Sequence, residues 1–283
     1  MEIRRIKADT VTQCVKKLFM DCNYYIGEDI TSALKKSMEE EKSPVGREVL
    51  AQLLENNKIA AAEQIPLCQD TGMAVLFVEY GDKVVIEDGS FEDAVMQGVR
   101  QAYDEGYLRK SVVSDPVFDR KNTGDNTPAI IHTRIVSGDK IKILAGGKGF
   151  GSENMSAIAM LTPSKGVEGV FDFVLDTVKK AGPNPCPPIV VGVGIGGTFE
   201  KAAELAKKAT LREINTKNPD ERYAQLEDKL LTAINKMGFG PAGLGGSTTA
   251  LGVNIETYPT HIAGMPVAVN ICCHAARHKS AVI

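Results

Sequence analysis

The sequence predicts an α+β protein with a helical N-terminal part followed by a mixed sheet flanked by helices. Three observations carry this. Helical periodicity fills residues 8 to 62, β-rich segments begin only after residue 72, and beyond that point strands and helices mix without the regular alternation of a parallel α/β sheet. No internal repeat and no linker interrupts the chain, so a single domain spanning residues 1–283 is expected.

The segments "DTVTQCVKKLFMDCNY", "DITSALKKSMEEEK" and "VGREVLAQLLENNKIAAAE" place apolar residues three and four apart and predict three helices. Cys14 falls between Val11 and Leu18 on an apolar face and reads as a buried thiol. "MAVLFVEYG" predicts a strand, and "SFEDAVMQGVRQAYDEGYL" an amphipathic helix ending near Gly106. "PAIIHTRIVSGDKIKILAGGKG" alternates on both sides of a Ser-Gly-Asp turn and predicts a hairpin, with His132 as a structural residue of its first strand. "GVEGVFDFVLDTVKKAG" predicts a helix closed by Lys179, Lys180 and Gly182. After it come a strand, a glycine-rich bend and a helix in "PNPCPPIVVGVGIGGTFEKAAELAKKA". A charged helix over about 219–237 and a C-terminal stretch of glycine-rich loops and strands complete the chain.

Composition excludes several function classes. With 43% hydrophobic and 24% charged residues the chain is an ordinary globular sequence. A net charge of -3 and no run of Lys/Arg longer than two argue against nucleic acid and membrane surfaces as partners. The absence of Trp removes one stacking platform for bases or sugars. No eighteen-residue apolar run and no signal-peptide pattern at "MEIRRIKADT" point to a cytoplasmic protein, where six cysteines act as thiols or ligands rather than as a disulfide framework.

Four places could carry chemistry. Gly192, Gly194 and Gly197 satisfy G-x-G-x-x-G between a strand and a helix. A dinucleotide fold further demands a second strand ending in an acid about twenty residues on, and "KKATLREINTKNPDERY" offers none. A nicotinamide-dependent dehydrogenase is therefore a secondary reading, and the bend can instead offer amides to an anion. "GGKGFGSENMS" follows a strand and is expected to precede a small-residue helix, so it too can offer amides to an anion, or its glycines serve tight turns alone; it lacks the G-K-S/T ending of a phosphate loop. Cys68 in "PLCQDTG", Cys186 in "NPCPP" and Cys272-Cys273 before "HAARH" sit in loops stiffened by proline or at a strand end. They read either as scattered thiols or as a shared metal or cluster site, without the C-x-x-C spacing of a zinc ribbon. His261 lies between Pro259 and Gly264 in a loop, where a functional and a structural role are both open.

Taken together, "PLCQDTG", "GGKGFGSENMS", "NPCPPIVVGVGIGGTFEKA", "GFGPAGLGGSTTALGV" and "YPTHIAGMPVAVNICCHAARH" resemble the α subunit, or N-terminal domain, of class I fumarate hydratases and the related L-tartrate dehydratases, in the family's order over roughly residues 5–280. The resemblance implies the family's own N-terminal-domain fold and a [4Fe-4S] cluster held by Cys68, Cys186 and Cys273, with Cys272 at a position often filled by Gln. Three protein ligands leave one iron open as a Lewis acid, which suits reversible hydration of fumarate to (S)-malate. The resemblance further implies Gln69, Asp70, Arg109 and Gly151 at the substrate. Arg109 would clamp a carboxylate, Asp70 and His261 would serve catalysis, and Asp70 is the candidate for proton transfer. L-tartrate is the alternative substrate, and a non-catalytic cluster sensor is a third reading. The family's C-terminal domain is not expected within this chain, so a separate β subunit completing the active site is implied, in a dimer of α/β heterodimers.

Overall fold

A computed structural model describes residues 3–283. β1 (Arg4–Lys7) runs directly into α1 (Ala8–Tyr24), which buries Val11, Val15, Leu18, Phe19 and Cys22 at helical spacing. α2 (Glu28–Glu40) and α3 (Pro44–Glu63) follow, Pro44 opening α3 where an amide would have no helical acceptor. After β2 (Met73–Gly81) and β3 (Val84–Glu87), α4 (Phe91–Glu105) is started by Ser90, whose Oγ accepts from the Asp93 amide at 3.0 Å. Next are β4 (Ile130–Val136), β5 (Ile141–Lys148), the single turn α5 (Phe150–Glu153), β6 (Ala157–Leu161) and α6 (Gly166–Ala181). β7 (Ile189–Gly196), α7 (Phe199–Ala209), α8 (Glu221–Asn235), β8 (Ala250–Tyr258), β9 (Met265–Cys272) and β10 (His278–Val282) complete the order. Helix and strand are thus mixed along the chain, as an α+β protein requires. Among the described residues no helix is long and apolar enough to cross a membrane.

The chain divides into two compact units. One comprises the chain up to Gly27, Asn57–Gly149 and Arg277–Ile283, and the other Glu28–Asn56 and Phe150–Ala276. In the first, a four-stranded sheet runs in the order β10-β5-β2-β4, and β1 pairs with β3 in a separate parallel ribbon. The apolar faces of α1 and α4 close over it, joining Val15, Phe19, Val99 and Tyr103 to Leu76, Val78, Ile141 and Ile143 in one core. The expected hairpin is corrected here. Both strands form, but β2 lies between them, parallel to β4 and antiparallel to β5. β2 is buried along most of its length and takes a partner on each edge, and alternation alone cannot say which strand that partner is. His132 is opposite Phe77 in this register and stacks on its ring at 4.7 Å, a structural role.

In the second unit the sheet order is β6-β9-β7-β8. The core of α6, α8 and the sheet joins Val174, Leu230 and Ile234 to Val191 and Val193, while α7 packs through Ala202 and Ala206. Gly192 and Gly194 alternate with those valines. A Cβ on either would stand 2.2 Å from the Ala206 carbonyl oxygen or 2.1 Å from that of Ala202, so these glycines let α7 lie against β7. The helix expected after Ser156 is instead β6, because pairing with β9 outweighs the helix-favouring Ala, Met and Leu of "AIAML".

Candidate functional site

The stretch Pro66–Gly72 enters β2 as a turn held from several directions. The Leu67 amide donates to the Asn23 carbonyl at 3.0 Å, and Leu67 itself is buried. Cys68 and Asp70 are half-buried and Gln69 is exposed, three consecutive polar side chains on an anchored backbone. Asp70 Oδ1 accepts from the Gly72 amide at 3.0 Å, the local bond that favours Asp in such turns. Gly72 has φ +78°, and a Cβ there would meet the Lys148 carbonyl carbon at 2.4 Å, so only glycine fits.

Successive carbonyls of this turn each receive a side-chain donor. Arg277 Nη1 donates to Asp70, while Tyr103 Oη donates to Thr71 at 3.3 Å and to Gly72 at 2.8 Å. Asn126 Nδ2 adds a bond to Gly72 at 3.2 Å. The same clamps bring in Arg109: its amide donates to Thr71 Oγ1 at 2.9 Å, and Asn126 Oδ1 accepts from the Ser111 and Val112 amides at 2.7 and 3.2 Å. The first unit therefore gathers the backbones of Gln69, Asp70 and Arg109, with the Arg109 side chain exposed. Sequence patterning does not single out Tyr103, Asn126 or Arg277, because they reach this turn across 31, 54 and 207 residues.

In the second unit Cys186 is exposed at φ +54°, ahead of the Pro187-Pro188 pair. Its amide donates to the Pro183 carbonyl at 3.1 Å, and its carbonyl lies 3.2 Å from His274 Nδ1. That contact ties the Cys186 loop to the segment just beyond β9. Cys272 ends β9, is 4% exposed and is opposite Val190, whereas Cys273 is half-buried beyond the strand. The alternation of the strand thus sends one thiol of the pair into the core and the next out of it.

Gly151 is exposed in α5 with open space where a Cβ would be. Nearby in the chain, Glu153 Oε2 accepts from Asn270 Nδ2 at 3.0 Å, and Asn270 Nδ2 also meets Ser156 Oγ at 2.9 Å, which fastens the α5 segment to β9. His261 is exposed in the β8–β9 turn, and its Nδ1 accepts from the Ala263 amide at 3.1 Å, a bond that puts the proton of the neutral ring on Nε2. The glycine-rich stretch before β8 is occupied internally. Glu41 sends its carboxylate onto the Ser247 amide at 2.8 and 3.0 Å and the Thr248 amide at 2.8 Å. Burial opposes its ionisation, but the amides of Ser43, Ser247 and Thr248 outweigh it and bring the carboxyl down to about 2.

All six cysteines carry thiols. Cys22 is fully buried, and burial pushes it up to about 12, which suits an inert core thiol. Among the described residues no group of three or more His, Cys, Asp and Glu side chains is arranged to hold a metal ion. As donor chemistry, Cys68, Cys186 and Cys273 fit an iron-sulfur cluster: they are soft thiol donors, none is buried, and each lies on a loop fixed by hydrogen bonds or prolines.

Comparison with known proteins places this geometry in context. The family described as Fumarate hydratase (Fumerase) matches residues 12–282. A Methanocaldococcus jannaschii protein named "Putative L(+)-tartrate dehydratase subunit alpha" is 44% identical over 271 residues, covering 94% of this chain and 95% of that protein. Proteins named L(+)-tartrate dehydratase subunit alpha from Escherichia coli and Shigella sonnei are each 34% identical over 260 residues, covering 90% of this chain and 85% of theirs.

Proposed function

Since the chain belongs to the fumarate hydratase family, we propose that it is the α subunit of a hydro-lyase that adds water reversibly to fumarate to give (S)-malate. The observation that carries this reading is the clamped turn that presents Cys68, Gln69 and Asp70 side by side, with the Arg109 backbone bonded to Thr71. The names of the relatives support the hydro-lyase class and a separate β partner, because each is called an α subunit. They also favour a second reading, dehydration of L(+)-tartrate.

In this proposal Cys68, Cys186 and Cys273 hold a [4Fe-4S] cluster. When bound, that cluster supplies an iron with an open position as a Lewis acid toward the substrate hydroxyl. Cys273 is the third ligand rather than Cys272 because it is the thiol outside the core. The exposed Arg109 guanidinium grips a substrate carboxylate in a two-pronged bond, and the Gln69 amide donates a further hydrogen bond. Asp70 holds and returns the proton that water addition requires. The exposed Gly151 backbone, with open space where a Cβ would be, faces the substrate, and His261 lines the site with its Nε2–H as donor. The fold would be that of the family's N-terminal domain. The six thiols suit the reducing cytoplasm.

The test is anaerobic loading of this chain with iron and sulfide, alone and with its β partner, followed by spectroscopy and by assays with fumarate and L(+)-tartrate. A cluster signal altered by substrate, with turnover only when both subunits are present, is the expected result, and the larger kcat/KM decides between the substrates. Rapid turnover by the α chain alone would remove the shared site. A loaded complex inactive on both substrates would sink the hydro-lyase reading, and nicotinamide binding in its place would restore the dehydrogenase.

A further inference from the structure

Arg277 is 2% exposed. A guanidinium does not shed its charge, so burying one is tolerated only where hydrogen bonds replace water. Here Nη1 donates to the Asp70 carbonyl and Nε to the Gly147 carbonyl at 3.2 Å. Nη2 lies 3.2 Å from the place a Cβ on Gly149 would take, and Asp70 Oδ2 lies 3.1 Å from the same place. Glycine at 149 therefore leaves the space that the Asp70 carboxylate and the Arg277 guanidinium border.

The topology of the first unit explains how a residue so distant in sequence arrives there. β10 pairs antiparallel with β5, His278 opposite Gly146, and β5 pairs with β2, Gly147 opposite Ala74. Arg277 immediately precedes β10 and is delivered to the mouth of the sheet, where the Cys68–Gly72 turn enters β2. Tyr103 and Asn126 hold the carbonyls of Thr71 and Gly72, and Arg277 holds that of Asp70.

We propose that Arg277 is a positioning residue for this turn: its buried fork joins the Asp70 carbonyl to β5 and so fixes the orientation in which Cys68, Gln69 and Asp70 are presented. Its consequence for turnover rests on the hydro-lyase reading above, whereas its consequence for the turn does not. A lysine could supply the charge but not the two-directional geometry of the fork.

The test compares wild type, Arg277→Lys and Arg277→Gln. The first readout needs no cluster and no activity: the rate at which iodoacetamide alkylates each cysteine, followed by mass spectrometry of the unloaded chain. Release of the turn is expected to change the Cys68 rate by about 5-fold or more in Arg277→Gln and by less in Arg277→Lys, in line with local opening of a low-stability segment. Cys14 on α1 and Cys186 in the second unit should stay within about 2-fold, which marks the change as local. Equal rises at Cys14 and Cys68 would report general loosening and overturn the proposal, as would an unchanged Cys68 rate in both variants. The second readout is kinetic, on the complex with the β partner. With Arg109 intact, kcat should fall about 10-fold or more while KM moves less than about 3-fold, the pattern of a misplaced reacting group, and lysine should recover part of the loss. A wild-type complex inactive on both fumarate and L(+)-tartrate would end the hydro-lyase reading, and the alkylation result would still decide the role of Arg277 in the turn.

Discussion

Replacing Glu41 by Gln tests whether the glycine-rich loop before β8 is built around an internal anion. Glu41 is fully buried and follows the last residue of α2. Its Oε1 accepts from the Lys42 and Ser43 amides at 2.8 and 3.0 Å and from Ser247 Oγ at 3.0 Å, and the Ser247 and Thr248 amides complete the nest. The folded carboxyl ionises at about 2 against an ordinary 4.5. That difference corresponds to about 3.4 kcal/mol at neutral pH. Because the folded value is the lower one, the contribution is complete above the unfolded value and fades as pH falls toward 2, leaving about 2 kcal/mol near pH 3.5. A glutamine keeps the shape, loses the charge, and turns an N–H group toward donors that need an acceptor. Urea unfolding of wild type and Glu41→Gln, near pH 7 and near pH 3.5 under reducing conditions, should show a stability gap of about 3 kcal/mol that narrows by about 1.4 kcal/mol in acid. A gap that keeps its size in acid, or one below about 1 kcal/mol at neutral pH, would refute the charge-based account. The loop has a second consequence, since the Ala242 amide donates to the Pro187 carbonyl at 2.8 Å, next to Cys186.

Two further outcomes are expected. Gly194→Ala would place a methyl 2.1 Å from the Ala202 carbonyl oxygen, so urea unfolding should show a loss of about 3 kcal/mol with nicotinamide binding absent before and after; wild-type stability would mean that β7 and α7 are not closely apposed. Cys273→Ser should abolish iron loading while leaving unfolding nearly unchanged, and Cys272→Ser should keep loading but cost about 1 to 3 kcal/mol by burying a hydroxyl; iron-to-protein ratios with the reverse pattern would move the ligand to Cys272.

The elements legible in the sequence are those whose own periodicity is long enough to register. α1, α3 and α4 form within a residue or two of their expected bounds, and β2 coincides with "MAVLFVEYG". β1 and β3 escape notice because four residues hold too little alternation, and they exist by pairing with each other. The misread hairpin and the unexpected β6 share one cause. Which strand pairs with which is settled by contacts between distant segments, and a local pattern does not encode them. The candidate site divides in the same way. "PLCQDTG" is visible as a polar turn from its own residues, while the donors that hold it come from α4, from Asn126 and from the residue before β10.

Glycine shows this limit most sharply. A glycine-rich segment announces that something must come close or that the backbone must turn, without saying what fills the space. In "GVGIGG" the filler is the backbone of α7, although the spacing matches a dinucleotide motif. At Gly149 it is the Asp70 carboxylate and the Arg277 guanidinium. At Gly246 it is Glu41, whose Oε1 lies 2.8 Å from where a Cβ would stand. By sequence the first two segments can offer amides to an anion, and at Gly149 and Gly246 the chain itself brings a carboxylate to the place. An external anion would have to displace Glu41 from amides that already hold its carboxyl at about 2, and the space beside Gly149 is already bordered by the carboxylate of Asp70. In the hydro-lyase proposed above, the substrate carboxylates would therefore be gripped by the exposed Gln69 and Arg109 side chains, and of the glycine loops only the Gly151 segment would contribute.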